Sequence, residues 1–445
     1  MLAGKAGHTA ITGIQFGDEG KGQIVDVLAS THNAVVRYNG GANAGHTVVV
    51  GGKKYALHLV PSGILHGGNR NFIANGVVID PFALVHEMDS LRDGGVEIGP
   101  RNLVISNRCH LVLPYHKMED ELLDAAMAHA ESSDGSLLGT TKRGIGPCYS
   151  DRALRSLAIR TADLVDANLT SRLIKKIVPF KNRMLRVLAE EAGVEFKDID
   201  VQEMLDSVGE IGEKLKPYIT DTTVALRDEI ADGKRLLFEG ANATLLDIDF
   251  GTFPFVTSSN CITPAIPVST GIGNLNLTNS IGVAKTYMSR VGAGPFPTEL
   301  EGEIADTIRD RAHEYGTSTG RPRRIGWLDL VALKHTVAIN GITELVLTGL
   351  AFLHGIDPIR VCTAYESNGK RGTNFPPGAR ELSLVRPVFE ELPGFEQPVS
   401  GVTDPAKLPG SVTDLVALIE KETGATVAAV CTGKSRDNVL EVASR

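Results

Sequence analysis

The sequence is poor in cysteine, in aromatic residues and in positive charge. Its 445 residues include five scattered cysteines without a CxxC pair, and aromatic residues make up 5% of the chain. This cysteine pattern excludes a disulfide framework and a zinc site, and it favours a reducing compartment. The formal net charge of −8 argues against a nucleic-acid-binding surface.

Long hydrophobic runs are also missing. No apolar run approaches the roughly 20 residues that a membrane-spanning helix needs, and the N-terminus lacks a basic-then-apolar signal pattern. We therefore expect a cytoplasmic protein with no membrane partner. Hydrophobic residues at 42% can fill a large core, and 48 glycines outside any tandem repeat indicate long loops that approach ligands closely.

Strands that alternate with helices predict an α/β fold with a large, mostly parallel central sheet flanked by helices. From about 115 to 232 the pattern is strongly helical, and Pro179 is expected to kink or interrupt one helix there. Another helix is predicted to start at Trp327. We expect one domain over 1–445 with this helical elaboration within it, and active-site loops at the carboxyl ends of the strands.

A glycine-rich stretch from Gly13 to Gly22 follows the first predicted strand and leads into a helix. A strand, a tight turn and a helix start surround an anion with backbone N–H groups, and Lys21 adds a positive charge. The pattern departs from the standard phosphate loop, which continues with Lys-Ser/Thr. Asp18 and Glu19 inside the turn indicate a metal ligand or a base beside bound phosphates.

Polar, glycine-rich loops follow several other predicted strands. His46 ends the loop 39–47, where it is either a hydrogen-bonded structural residue or a general acid that contacts phosphate, and the nearby phosphate-type turn favours the second role. The loop 139–147 suits a second anionic group or is a solvated segment. The three arginines of 316–324 are either a solvated run or a binding site, and arginines flanked by glycine suit carboxylates and phosphates.

These loops resemble, in order, the motifs of the adenylosuccinate synthetase family. The similarity covers nearly the whole chain, and its segments are 15–22, 40–47, 139–155, 238–249, 256–260, 290–300 and 316–329. The resemblance implies a homodimeric ligase that joins inosine monophosphate (IMP) to L-aspartate with GTP and Mg²⁺. In that reaction the purine O6 is phosphorylated first, and the aspartate amine then displaces phosphate.

The resemblance also implies residue roles. Asp18 would take the N1 proton and bind Mg²⁺ together with the Gly45 carbonyl, His46 would be the general acid, and Lys21 would stabilise the transferring phosphoryl group. The positions matched to the nucleotide donor are Gly17, Glu19, Gly20, Gly22, Thr47, Arg323 and Gly433. The positions matched to the substrates are Asn43, Thr141, Arg155, Asn242, Thr257, Val291, Thr319 and Arg321. Arg155 would reach the ligand of the neighbouring subunit.

Three positions depart from the family pattern. Asn242 replaces the glutamine that contacts O6, and Phe16 replaces a tryptophan. Thr348-Gly349-Leu350-Ala351 replaces Thr-Lys-Leu-Asp, whose aspartate reads guanine. The missing carboxylate removes a charged hydrogen bond worth roughly 1.5–3 kcal/mol, unless Asp357 or a neighbouring loop substitutes. ATP therefore joins GTP as a candidate donor.

Three functions are consistent with these residues. The first is adenylosuccinate synthesis from IMP and aspartate. The second is the same ligation on another purine monophosphate, such as dGMP to 2-aminoadenylosuccinate, with GTP or ATP as donor. The third is a non-catalytic nucleotide-binding paralogue, which the retained Asp18, Lys21 and His46 argue against.

Overall fold

A ten-stranded sheet forms the centre of the molecule. The computed structural model describes residues 7–50, 53–130, 139–315 and 322–442. Its strands are β1 (His8–Gly13), β2 (Ala34–Arg37), β3 (His46–Val50), β4 (Lys53–Leu57), β5 (Arg70–Ile73), β6 (Val78–Ile79), β7 (Leu103–Ser106), β8 (His110–Leu111), β9 (Ile219–Thr220), β10 (Leu236–Glu239), β11 (Leu277–Lys285), β12 (Tyr287–Arg290), β13 (Glu299–Leu300), β14 (Arg324–Asp329), β15 (Glu344–Thr348), β16 (Ile359–Ser367), β17 (Lys370–Gly372), β18 (Arg386–Leu392), β19 (Thr426–Cys431) and β20 (Val439–Glu441).

The order of strands across the central sheet is β20-β19-β15-β11-β1-β10-β2-β5-β7-β9. Within the described residues, each neighbouring pair is parallel except β19 with β20. The glycine-rich turn follows β1, which lies between β10 and β11 in the middle of the sheet. The predicted α/β fold with a mostly parallel sheet is confirmed.

Helices cover this sheet. Their bounds are α1 (Lys21–Ala29), α2 (Pro81–Asp93), α3 (Pro114–Ala130), α4 (Ile145–Leu154), α5 (Ala167–Ala192), α6 (Val201–Leu215), α7 (Thr222–Ala231), α8 (Ile266–Thr270), α9 (Glu303–Ala312), α10 (Leu330–Asn340), α11 (Ala379–Leu382) and α12 (Gly410–Thr423). None of these helices, among the residues described, combines the length and apolar character needed to cross a bilayer.

The prediction of a helix start at Trp327 is wrong, and of the two outcomes predicted for Pro179, a kink or an interruption, the interruption is excluded. Trp327 does not begin a helix, because it pairs with Tyr287 inside β14, and α10 starts only at Leu330. The Asp329 side chain accepts hydrogen bonds from two backbone N–H groups of α10 and thereby fixes its start. Pro179 does not interrupt α5, whose 26 residues continue through it. Burial of the apolar face of α5 outweighs the hydrogen bond that proline removes.

A second, six-stranded sheet was not predicted. It contains β12, β14, β16 and β17, with β13 and β18 paired at its side. The sequence predicts one strand over 281–287, but the chain passes from β11 to β12 after Lys285 and so enters the other sheet. This change of sheet places the segment around Lys285 close to the turn after β1, because Gln15 bonds both the N–H and the carbonyl of Lys285.

The helical region predicted for about 115–232 contains α3 through α7, and three of these helices, α3, α5 and α6, share one apolar core with the sheet edge at β5 and β7. Lys181 of α5 is fully buried there and binds Glu119 of α3 at 2.6 Å and Asp151 of α4 at 2.8 Å. The His116 Nε2 donates to the same aspartate at 3.0 Å, since its Nδ1 accepts the Leu113 N–H. These bonds connect three helices through one buried ammonium group.

Replacement of Lys181 by methionine should lower the free energy of unfolding by roughly 3–5 kcal/mol, because two buried carboxylates lose their cation. Urea denaturation followed by circular dichroism measures the change. Lys214→Met is the matched control, since Lys214 forms an exposed pair with Glu210 on α6, and it should leave the midpoint unchanged. Equal effects of the two variants would contradict a special role for the buried cluster.

Candidate active site at the carboxyl edge of the central sheet

The turn between β1 and α1 is built on left-handed backbone. Gly17, Asp18 and Gly20 have φ values of 97°, 56° and 86°, a region that glycine adopts freely and that aspartate tolerates better than most residues. Gly20 caps α1, whose first residue Lys21 is buried. The first N–H groups of α1 therefore open onto the turn, where they can bind an anion.

Glu19 folds back into this turn. Its Oε1 accepts hydrogen bonds from two backbone N–H groups of the turn, at 3.1 and 2.8 Å, and its Oε2 binds the Lys21 Nζ at 2.8 Å. A Cβ at Gly13 would lie 2.4 Å from Glu19 Oε2, so only glycine fits there. The Glu19 carboxylate thus stabilises the turn from inside, whereas the Asp18 side chain is 39% exposed and available to a ligand.

Two later loops contact the turn and α1, as the predicted convergence of loops requires. The Thr348 hydroxyl at the end of β15 donates to the Glu19 carbonyl at 2.7 Å. The Gln23 amide of α1 donates to the Gly433 carbonyl, after β19, at 3.0 Å. Segments separated by more than 300 residues in sequence therefore meet at the same edge of the sheet.

Asp18 lies at one end of a row of alternating charges. Arg323 binds Asp18 Oδ2 through Nη2 at 2.9 Å and Glu314 Oε2 through Nη1 at 2.6 Å. Lys285 binds the other oxygen of Glu314. Burial opposes ionisation of Glu314, but the charges of Lys285 and Arg323 prevail and lower its pKa to about 2.

His46 lies beside the start of α1, on β3. Its Nδ1 is hydrogen-bonded to the carboxylate of Glu239, which also accepts from the Ser62 hydroxyl at 2.7 Å and the Ser62 N–H at 2.8 Å. Although burial opposes ionisation, the charge of His46 and these hydrogen bonds lower the pKa of Glu239. The His46 Nε2 is buried and hydrogen-bonds to nothing within the described part of the chain. A Cβ on Gly22 would lie 3.2 Å from the Thr47 carbonyl, which shows how closely α1 approaches β3.

Two of the predicted substrate residues meet directly. The Asn43 amide donates to the Thr257 hydroxyl at 3.1 Å. The start of α4 lies next to them, because a Cβ on Gly146 would be 3.3 Å from Ser258 Oγ. Asn242, with a φ of 60°, is also at this edge, and its Oδ1 is buried without a hydrogen-bond partner among the described residues. Unpaired amide oxygens of this kind are suited to bind a polar ligand.

The remaining predicted site residues are less enclosed. Thr141 and Arg155 are exposed at the two ends of α4, and Val291 is 60% exposed after β12. Gly45, predicted to offer its carbonyl to a metal, precedes β3 and packs near the His58 ring. Thr319 and Arg321 lie outside the described residues.

The segment that replaces the guanine-reading tetrad follows β15. Gly349 has a φ of 77°, and a Cβ there would lie 2.7 Å from the Tyr287 ring. A lysine at this position would therefore be both strained and crowded. Ala351 is in the short turn that follows, and Lys434 Nζ lies 5.8 Å from the Phe352 ring centre. Burial lowers the pKa of Lys434.

Sequence reasoning did not assign roles to Glu239, Glu314 or Lys285. Glu239 ends a buried strand just before a glycine, and a carboxylate in that place was a usable signal. Glu314 and Lys285 gave no such signal, because their neighbours in space come from distant parts of the sequence.

Comparison with known proteins identifies the relatives of this chain. The family model described as adenylosuccinate synthetase matches residues 10–440. The adenylosuccinate synthetase of Caldanaerobacter subterraneus subsp. tengcongensis is 44% identical over 97% of this chain and 98% of its own. That of Listeria monocytogenes is 45% identical over 96% of each chain.

Solved structures agree. The fully ligated adenylosuccinate synthetase of Plasmodium falciparum superposes with a TM-score of 0.90 at 34% identity, covering 98% of this chain and 100% of that one. The succinoaminodeoxyadenylate synthetase of cyanophage S-2L has a TM-score of 0.60 at 19% identity, covering 99% and 97% of the two chains, and it shows a shared fold alone.

The fold and these relatives place the chain among the ligases that form carbon–nitrogen bonds. The chain belongs to the adenylosuccinate synthetase family.

Proposed function

We propose that this protein joins IMP to L-aspartate to form adenylosuccinate, using a nucleoside triphosphate. The observation that carries this proposal is that Asp18 and His46 both lie beside the α1 N-terminus. Asp18 is open to a ligand, and His46 is held at Nδ1 by Glu239 with Nε2 buried. A carboxylate base, a histidine and an anion-binding helix start are the groups that phosphorylation of a purine oxygen needs.

The proposed reaction has two steps. In the first, Asp18 accepts the N1 proton of the purine, O6 attacks the γ-phosphorus, and the bond to the nucleoside diphosphate breaks. In the second, the aspartate amine attacks C6, inorganic phosphate leaves with the C6–O6 bonding electrons, and the amine loses a proton. Lys21, held by Glu19, lies where it can stabilise the transferring phosphoryl group, and a doubly protonated His46 ring would donate from Nε2 to a phosphate oxygen.

The residues present fit a magnesium ion held jointly with substrate. Mg²⁺ prefers oxygen ligands and is often bound by one or two carboxylates plus phosphates and water. The Asp18 carboxylate and the Gly45 carbonyl are the proposed ligands. No cluster of three or more acidic, histidine or cysteine side chains occurs in the described ranges, so an ion here would take its other ligands from water and phosphate. When bound, it would neutralise charge on the transferring phosphates.

The proposed IMP site is formed by Asn43, Thr257, Thr141 and Asn242, and the family resemblance adds Arg321 to these substrate residues. Arg155 is exposed at the end of α4, with a φ of 64°. Its exposure is compatible with a contribution to the site of a neighbouring subunit, and we propose a homodimer on this basis. Aspartate would contact Thr319 and Arg321, and Arg323 would lie between it and the donor phosphates.

The donor nucleotide is proposed to be GTP or ATP, with little discrimination between them. Gly349 and Ala351 provide neither the lysine stem nor the carboxylate that would read guanine. The alternative carboxylate, Asp357, is exposed and accepts the Gly394 N–H through Oδ1 at 2.8 Å. A site without a carboxylate loses the charged pair of hydrogen bonds to the guanine N–H groups.

Ala351→Asp should raise the preference for GTP over ATP, as a ratio of kcat/KM values, by roughly 10- to 150-fold, which corresponds to the 1.5–3 kcal/mol of a charged hydrogen bond. Steady-state kinetics with each donor at saturating IMP and aspartate measures the ratio. Ala351→Asn is the matched control, because it has the same shape without the charge. An unchanged ratio in Ala351→Asp would remove this segment from base recognition.

A second candidate function is the same ligation on another purine monophosphate, such as dGMP. It is favoured by Asn242, whose side chain is one methylene shorter than glutamine and leaves more room beside the purine ring. The cyanophage relative is described as bound to dGMP and to dATP as an energy donor. Incubation with aspartate and each pairing of IMP, dGMP, GTP and ATP separates the candidates. IMP turnover at least equal to that of dGMP would exclude the second, and no product from any pair would exclude catalysis altogether.

A further inference from the structure

Glu314 is a buried carboxylate that uses both oxygens. Oε1 accepts from Lys285 Nζ at 2.5 Å and from the Tyr287 hydroxyl at 2.7 Å, and Oε2 binds Arg323 Nη1 at 2.6 Å. Its side chain is 4% exposed. A carboxylate with these partners, and with a pKa lowered to about 2 by the two cations, stays ionised and fixed in place.

The same residue also holds the backbone of Arg323. The Arg323 N–H donates to the Glu314 carbonyl at 2.9 Å, and Tyr315 and Pro322 form a β-bridge directly beyond them. The Arg309 Nε donates to the Arg323 carbonyl at 3.0 Å. Side chain and backbone are therefore both restrained, and the one terminal nitrogen of the guanidinium left for another partner, Nη2, faces Asp18.

Lys285 anchors this arrangement to the turn itself. Gln15 accepts the Lys285 N–H at 2.9 Å and donates to its carbonyl at 3.0 Å, and Gln15 lies three residues before Asp18. The charged side chains of Asp18, Arg323, Glu314 and Lys285 are therefore connected in series. Both ends of this series are attached to the turn, one at Asp18 itself and the other through Gln15.

We propose that Glu314 is a positioning residue for phosphoryl transfer. Through Arg323 it holds the Asp18 carboxylate at one place in its left-handed turn, ready for the purine N1 proton. The planar guanidinium suits this purpose because it can bind two carboxylates in a fixed geometry, which a lysine cannot. This inference rests on the proposed function, since it assigns Glu314 to the first of the two steps.

The alternative is that Glu314 only shapes the segment that binds aspartate. The two roles differ in which half of the reaction they affect. A positioning role predicts loss of phosphoryl transfer before aspartate is involved, whereas a role in the aspartate segment predicts a raised KM for aspartate with phosphoryl transfer intact.

Positional isotope exchange in ¹⁸O-labelled nucleoside triphosphate, measured with the purine monophosphate but without aspartate, reports phosphoryl transfer alone. Glu314→Gln should slow this exchange at least tenfold, and the KM for aspartate should change less than threefold. The double variant Lys285→Met/Glu314→Gln should behave alike, and it keeps the net charge of the buried cluster unchanged. Circular dichroism and thermal melting establish that each variant is folded.

Glu299→Gln is the matched control. Glu299 is the carboxylate partner of Arg324, the next residue along the chain, in a partly exposed pair, and its loss should leave exchange unchanged. Arg323→Lys keeps the charge but cannot bind both carboxylates, so it must lose exchange whether or not the Glu314 variants fold.

Undiminished exchange in Arg323→Lys or in a folded Glu314 variant would overturn the positioning role, with or without a raised KM for aspartate. Absence of exchange in the unmodified protein with every monophosphate and triphosphate pair would instead contradict the proposed function.

Discussion

Turnover is expected to fall roughly 10²- to 10⁴-fold when Asp18 is replaced by alanine or asparagine, while the chain still folds. Both changes remove the carboxylate that would accept the purine N1 proton and bind Mg²⁺. Asp18 is 39% exposed and its ion pair with Arg323 is at the surface of the site, so stability should change little. The rate of succinyl-nucleotide formation, followed by absorbance or chromatography, measures the loss.

Asp18→Asn separates chemistry from backbone strain. Asparagine tolerates the φ of 56° at this position nearly as well as aspartate, whereas alanine does not. Asp89→Asn is the control, because Asp89 also pairs with an arginine, Arg92, but on the exposed face of α2. More than a tenth of the original kcat in Asp18→Asn would refute its assignment as the base.

Glu239→Gln is expected to have an effect of similar size, up to about 10⁴-fold in kcat, without unfolding the chain. Glutamine carries no negative charge, so the doubly protonated His46 ring, which would donate from Nε2 to a phosphate oxygen, loses the counter-charge that Glu239 supplies at Nδ1. Loss of a general acid typically costs roughly 10²- to 10⁴-fold in rate. Steady-state kcat and ¹⁵N chemical shifts of the His46 ring report the rate and the protonation of the ring together.

The matched control for that variant is Ser62→Ala. It removes the hydroxyl that donates to Glu239 at 2.7 Å but leaves the carboxylate and the Ser62 N–H in place. We expect a loss of no more than a few-fold. A Glu239→Gln variant with nearly full activity would show that His46 does not depend on this carboxylate, and would make Glu239 a structural residue of β10.

Local patterns in the sequence predict the central sheet well. The apolar runs 8–14, 34–38, 345–348 and 425–430 predict strands, and the patterns at 21–29, 81–92 and 411–422 predict helices. These bounds agree within about two residues with β1, β2, β15, β19, α1, α2 and α12. Local patterns did not predict the correct secondary structure around Trp327. There the strand β14 is stabilised by pairing with β12 and β16, which are distant in sequence, and local helical spacing was misleading.

The site residues that could be predicted from the sequence are those that belong to a recognisable loop motif. Asn43 and Thr257 were expected to converge, and they share a hydrogen bond. The residues behind the loops were not predictable in the same way. Glu314 and Lys285 act on Asp18 only through the three-dimensional path of the second sheet, which the sequence pattern did not indicate.

The segment 348–351 has two separate roles, and the hydrogen bond from Thr348 to the Glu19 carbonyl belongs to the first of them. Thr348 ends β15 and supports the phosphate turn, whereas the residues after it, in a separate short turn, are the ones proposed to contact the donor base. The side chain at 351 can therefore change without disturbing the geometry of the phosphate turn. Under the proposed function, such a change would exchange one energy-supplying nucleotide for another while the reacting groups remain as they are.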